Sequence, residues 1–123
     1  MERDTQQRRA IRSAIELADR PLSPREVLDA SKTLSPGLGI ATVYRTLKSW
    51  LESGWLQQVD LPGEPPRYEL HGKQHHHHFH CRQCDRVYEL EGCPDGLPRL
   101  TPVGFSLEAH ELVLYGRCAS CGV

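Results

Sequence analysis

Between residues 40 and 51 the apolar side chains fall at Ile40, Val43, Tyr44, Leu47, Trp50 and Leu51. That i, i+3, i+4, i+7 recurrence gives an α-helix one apolar stripe. Thr42, Arg45, Thr46, Lys48 and Ser49 occupy the opposite side, and Gly54 stands where a helix C-terminus favours glycine. Two earlier stretches have the same period. In TQQRRAIRSAIELA (5–18), Ile11, Ala14, Ile15 and Ala18 share a face, with Thr5 as the expected N-cap and Pro21 as the stop. In LSPREVLDASKTL, Ser23 reads as an N-cap, Pro24 as the first helical residue and Glu26 as the third member of a capping box. After the third helix come two short strand-like runs, WLQQVDL (55–61) and RYEL (67–70), joined by the turn PGEPP. Three helices followed by a hairpin outline a winged helix-turn-helix, whose third helix would enter the major groove of DNA.

Around HGKQ (71–74) helical periodicity gives way to histidine and β-type residues. HHHHFHC and RVYELE read as strands, CPDGLPRLTP as an irregular or short helical connection, and FSLEAHELVLYGRC as one or two strands. No internal repeat is present. The predicted class is α+β, with a winged-helix DNA-binding domain over 1–71 and a small α/β metal-binding domain over 72–123. The second domain holds few large apolar side chains, so it is expected to need a bound ion to fold.

Charge narrows the possible partners. The formal net charge is -1, so any hold on nucleic acid must come from a local basic face. No apolar run reaches membrane-spanning length, and the charged start MERDTQQRR does not read as a signal peptide. Both point to the cytoplasm, where cysteines stay reduced and bind metal more often than they form disulfides.

The chemistry is concentrated in HHHHFHCRQC (75–84) and in a second Cys-x-x-C, Cys118 to Cys121. Knuckle spacing turns two sulfurs from each pair towards one ion, and four thiolates suit structural Zn²⁺ in a closed site. If the histidine run is extended, His75 and His77 point to one side and His76, His78 and His80 to the other. The run therefore offers more than one site. Among the remaining possible ligands, His110 is favoured by its place on a strand leading back to the second cysteine pair, whereas Cys93 is left unpaired. On the third helix, Arg45 could bond a guanine edge with both arms of its fork and Tyr44 could meet a thymine methyl or a phosphate, with Thr42 and Thr46 suited to phosphate contacts and Lys48 nearby. A zinc hydrolase is excluded, because the four-cysteine set leaves no open position and no H-E-x-x-H occurs. No enzyme and no small-molecule substrate are expected. A metal buffer without DNA binding is the reading from another class. It accounts for the histidines but not for a helix stripe with Arg45 opposite.

GLGIATVYRTLKSWLESGWL, RYEL, HHHHFHCRQC, the phrase GF-x-x-x-x-HEL-x-LYG and the final CASC together resemble the ferric uptake regulator (Fur) family of metal-responsive repressors. The resemblance spans nearly the whole chain. It implies a winged-helix DNA-binding domain, a C-terminal dimerisation domain, and a homodimer on double-stranded operator DNA. It also implies structural zinc at Cys81, Cys84, Cys118 and Cys121, and a sensor site that includes His76 and His78. Glu69 matches the sensor ligand of iron-type members, whereas His71 and Asp60 stand nearest the corresponding ligands of the zinc uptake regulator (Zur) branch. His75, His77 and His110 match a third site, while Tyr44, Arg45 and Arg3 match DNA-contacting positions. Three departures follow: Pro21 stands where iron-type members often offer a histidine, prolines interrupt 92–103, and Cys93 replaces an acid. The nitrogen-rich set favours Zn²⁺ over Fe²⁺ as regulatory ion. An iron-responsive or peroxide-sensing regulator is the alternative within the family.

Overall fold

The computed structural model describes residues 2–72 and 76–122, with side chains from residue 5 onward. The chain divides into two compact units, Met1–Lys73 and Gln74–Val123.

The first unit opens with helix α1, Glu2–Ala18. It starts before the expected cap Thr5, because nothing in ERDTQQRR breaks a helix. Asp19 ends it in the left-handed conformation (φ 49°). Helix α2 is Pro24–Ser31, and its predicted capping box is complete: Glu26 N–H donates to Ser23 Oγ, and Ser23 N–H donates to Glu26 Oε1. Helix α3, Ile40–Ser53, closes at Gly54, whose φ of 85° accounts for the glycine. Strands β1 (Leu56–Val59) and β2 (Arg67–Leu70) pair antiparallel, Leu56 opposite Leu70. Leu22 and Tyr68 exchange both backbone hydrogen bonds, which pins the α1–α2 connection to β2.

Ile11, Ile15, Val27, Val43, Leu47 and Leu56 meet at the centre of this unit. The structure corrects the predicted stripe on α3. Thr46 is buried, while Ile40 and Tyr44 are exposed. At about 100° per residue, Val43, Thr46, Leu47 and Trp50 form one face, and Tyr44 lies on its flank beside Lys48. The core reads the helix from a direction rotated towards Thr46, which the apolar count alone could not resolve.

Arg67 is almost fully buried on β2 and donates to Glu26 Oε1 at 2.9 Å, while Arg20 donates to Glu26 Oε2 at 2.8 Å. One carboxylate thus joins the α1–α2 connection, α2 and β2. Removing Glu26 takes from buried Arg67 its nearest carboxylate, leaving Glu64 Oε1 at 3.8 Å, and the capping box is lost with it. Glu26→Ala is expected to destabilise this unit by about 3–5 kcal/mol, with Glu26→Gln milder because glutamine still closes the box. Urea unfolding followed by the fluorescence of Trp50 and Trp55 measures this, and a loss below about 1 kcal/mol would contradict the role given to the network.

The second unit is a three-stranded sheet in the order β4-β3-β5. Strand β3 (His77–Cys81) pairs antiparallel with β4 (Val87–Leu90) and parallel with β5 (Val113–Gly116). Of the long run FSLEAHELVLYGRC only these four residues form a strand. Pro94, Pro98 and Pro102 limit 92–103 to one 3-10 turn, Leu97–Leu100. Among the described residues here, Cys81, Val87 and Cys118 are the buried apolar side chains, whereas Leu100, Val103, Phe105, Leu107, Leu114 and Tyr115 are exposed. No helix among the described residues is long and apolar enough to cross a membrane.

Candidate metal centres and nucleic-acid interface

The β3–β4 turn and the segment after β5 bring Cys81, Cys84, Cys118 and Cys121 together, with all four sulfurs within 4.8 Å of one another. Cys84 Sγ stands 3.7 Å from Cys118 Sγ. Thiolates about 2.3 Å from a tetrahedral zinc lie about 3.8 Å apart, so the spacing fits the ion. Backbone N–H groups of Cys84 and Cys118 donate to Cys81 Sγ at 3.4 and 3.3 Å. The Cys84 N–H, with those of Cys118 and Gln83, outweighs burial and pulls the Cys81 thiol down to about 6. Burial raises Cys118, but hydrogen bonds from Tyr88 and Cys121 outweigh it and the net shift is downward. Cys121, hydrogen-bonded to Cys118 and desolvated, is pushed up to about 12. The folded cluster therefore favours thiolate at Cys81 and Cys118 and disfavours it at Cys121. These four residues fit structural zinc and would hold it.

Each knuckle closes on the residue after its second cysteine. Asp85 takes a left-handed turn (φ 67°). At Gly122 a Cβ would sit 2.8 Å from the Cys118 carbonyl oxygen, so no larger residue fits without displacing the backbone. Sequence spacing did not reveal Tyr88. Its side chain hydrogen-bonds Cys118, and that contact raises its own phenol above the ordinary range. Such outer partners tune ligand charge and orientation.

The histidines fall into two groups. His76 and His78 stack edge to face with ring centroids 4.9 Å apart, and His76 Nε2 lies 3.9 Å from Glu89 Oε1. His77 Nε2 instead meets His110 Nε2 at 3.1 Å and Cys93 Sγ at 3.2 Å. His80 Nε2 pairs with Asp85 Oδ1 at 2.6 Å. Along β3, His77 and Cys81 are about 13 Å apart, so the His77 group and the four-cysteine group occupy opposite ends of one strand. His75 lies outside the described residues. From the residues alone Cys93 was an unpaired thiol, and the resemblance placed it where an acid is usual; its approach to His77 is a product of the fold, with no signal in the spacing.

Of the other expected sensor residues, Glu69 belongs to the first unit, on β2, where it accepts a hydrogen bond from Gln57 at 2.8 Å. Asp60 accepts from Gln58 at 2.8 Å. His71 is exposed just after β2, with its backbone N–H bonded to the Trp55 carbonyl. On α3, Tyr44, Arg45 and Lys48 are exposed, and Arg45 Nη2 donates to Thr42 Oγ1 at 3.1 Å. Arg8 and Arg12 stack on Trp50 and Trp55, at 5.2 and 4.9 Å from the ring centres. The side chain of Arg3 lies outside the described residues.

The sequence model of the Ferric uptake regulator family matches residues 2–115. A Bordetella parapertussis ferric uptake regulation protein is 36% identical over 106 residues, covering 83% of this chain and 76% of that protein. A Mycobacterium tuberculosis zinc uptake regulation protein is 32% identical over 122 residues, covering 97% and 94%. The solved structure of a zinc-bound manganese uptake regulator superposes with a TM-score of 0.80 at 29% identity, over 92% of this chain and 88% of that one. By class the chain is a metal-binding transcriptional regulator and not an enzyme. It belongs to the ferric uptake regulator family.

Proposed function

We propose that this chain is a metal-dependent repressor that binds operator DNA as a homodimer and controls metal-ion homeostasis, with zinc as the regulatory ion. The observation that carries this reading is the pairing, in one chain, of an exposed Tyr44–Arg45–Lys48 face on α3 with histidines and thiols clustered at the two ends of β3. In this reading residues 1–71 are a winged helix, with α2 and α3 as the helix-turn-helix and β1–β2 as the wing. Residues 72–123 are the dimerisation domain, and exposed side chains such as Leu100, Val103 and Phe105 offer a second copy apolar area to bury. Cys81, Cys84, Cys118 and Cys121 hold the structural zinc. His76 and His78 belong to the sensor, with Glu69, His71 and Asp60 as its further donors. His75, His77 and His110 belong to a third site. A cytoplasmic setting keeps the thiols reduced.

Regulation follows from differential affinity. An ion that binds the DNA-competent arrangement about 10⁴-fold more tightly than the other shifts the population almost completely. The nitrogen and sulfur donors favour zinc, and the zinc uptake regulation protein above matches along nearly its whole length. Glu69, an oxygen donor, favours the iron-responsive alternative, as does the likeness to a ferric uptake regulation protein.

The experiment is binding to duplex DNA selected by this protein from a randomised pool, measured against free zinc. Binding is expected to rise with zinc and to be lost when the regulatory ion is chelated. Equal binding with chelator and with zinc would exclude the mechanism.

A further inference from the structure

His77, Cys93 and His110 come from three separate segments: His77 is buried on β3, Cys93 is exposed after β4, and His110 is half-buried ahead of β5. Their ligand atoms lie within 4.8 Å of one another, with His77 Nε2 3.1 Å from His110 Nε2 and 3.2 Å from Cys93 Sγ. Nitrogen and sulfur ligands on a tetrahedral ion stand about 3.3–3.7 Å apart, so the trio is close to one triangular face of such a site. Cys93 is placed by a stiff turn. Gly92 before it takes φ 81°, and Pro94 after it fixes its own φ. With Cys93 exposed, the outer side of the trio faces water, which can supply a fourth ligand.

We propose that Cys93 is a metal-ligating thiolate which, with the imidazole nitrogens of His77 and His110, forms a site for a thiophilic divalent cation and sets its preference for zinc or cobalt over manganese or iron(II). This rests on reading His77 and His110 as part of a third metal site, and it adds the ligand that decides selectivity. A carboxylate at position 93 would suit harder ions, whereas sulfur discriminates against them. On binding, the Cys93 S–H bond breaks, its proton passes to solvent and a sulfur–metal bond replaces a metal–water bond; no electron is transferred.

Cobalt(II) added to the full-length protein, with one zinc per chain retained in the four-cysteine centre, tests this. A new sulfur-to-cobalt charge-transfer band is expected. It should vanish in Cys93→Ala and persist when His76 and His78 are both replaced by alanine. Cys93→Asp should bind cobalt without the band and lower the preference for zinc over manganese by about tenfold or more. Added zinc should also shield Cys93 of the wild-type chain from iodoacetamide, an outcome that depends on no variant. Cobalt bound with no new sulfur band, a band that survives Cys93→Ala, or alkylation indifferent to zinc would each overturn the site. DNA binding on the same samples separates the two readings. A band that depends on Cys93, with DNA binding indifferent to metal, supports this site and refutes the zinc-dependent repressor.

Discussion

Cys84→Ser is expected to release the zinc and unfold residues 76–122 while leaving α1 to β2 folded. The sheet unit buries few apolar side chains, Cys81, Val87 and Cys118 among its described residues, and two of those are proposed zinc ligands. A unit of this size rarely gains more than about 3–5 kcal/mol from a core alone. A structural zinc contributes about 10–16 kcal/mol of binding free energy, which in such a unit is folding free energy. Serine offers a hydroxyl that does not ionise at neutral pH, so the fourth thiolate is lost and, without the ion, thiolates at Cys81 and Cys118 repel. The neighbouring Cys81 thiolate, held by backbone N–H groups, then has no ion to offset its burial. The helical unit has its own core around Ile11, Val27 and Leu47 and does not depend on the metal. Zinc content by mass spectrometry and hydrogen exchange resolved by segment measure the effect. Exchange should become fast over 76–122, while the Trp50 and Trp55 fluorescence transition keeps its midpoint. A folded sheet unit without zinc would overturn the structural role.

Where local rules act alone, the chain was legible. Ser23, Pro24 and Glu26 specify the start of α2 by themselves, and Gly54 specifies the end of α3, because capping is settled within one turn. The two Cys-x-x-C knuckles could be read because spacing encodes their geometry. Alternation along an extended run separated His77 from His76 and His78 before any contact was known. Tertiary contacts decided the rest. Whether Tyr44 or Thr46 faces the core depends on what packs against α3, and both choices satisfy a helical period. The meeting of His77, Cys93 and His110 depends on the path between β4 and β5, whose prolines and glycines fix turns without revealing their direction. The short β5 has a similar cause, since Phe105, Leu107 and Ala109 ahead of it are exposed and give a strand no face to bury.

Arg45→Ala is expected to abolish specific DNA binding while zinc content and thermal stability stay unchanged. The guanidinium lies on the exposed face of α3, and its described hydrogen bond is to Thr42 one turn back, itself at the surface. Replacing such a residue changes stability by no more than about 0.5 kcal/mol. Against a guanine edge the same group forms two hydrogen bonds, worth about 1–3 kcal/mol of discrimination. A homodimer presents two copies, so about 2–6 kcal/mol is lost from the complex, roughly a 30-fold to 10⁴-fold weakening. Arg45→Lys separates the two ways in which the residue could act. Lysine keeps the charge that attracts phosphate but lacks the planar fork. If Arg45 reads a base, Arg45→Lys loses preference for the selected duplex over random DNA and keeps the steep salt dependence of backbone contact. If it contacts phosphate alone, Arg45→Lys retains that preference and Arg45→Ala weakens all duplexes alike, with a shallower salt slope. Unchanged binding of the selected duplex by Arg45→Ala would remove α3 from the interface and, with it, the assignment of the first unit as the DNA reader.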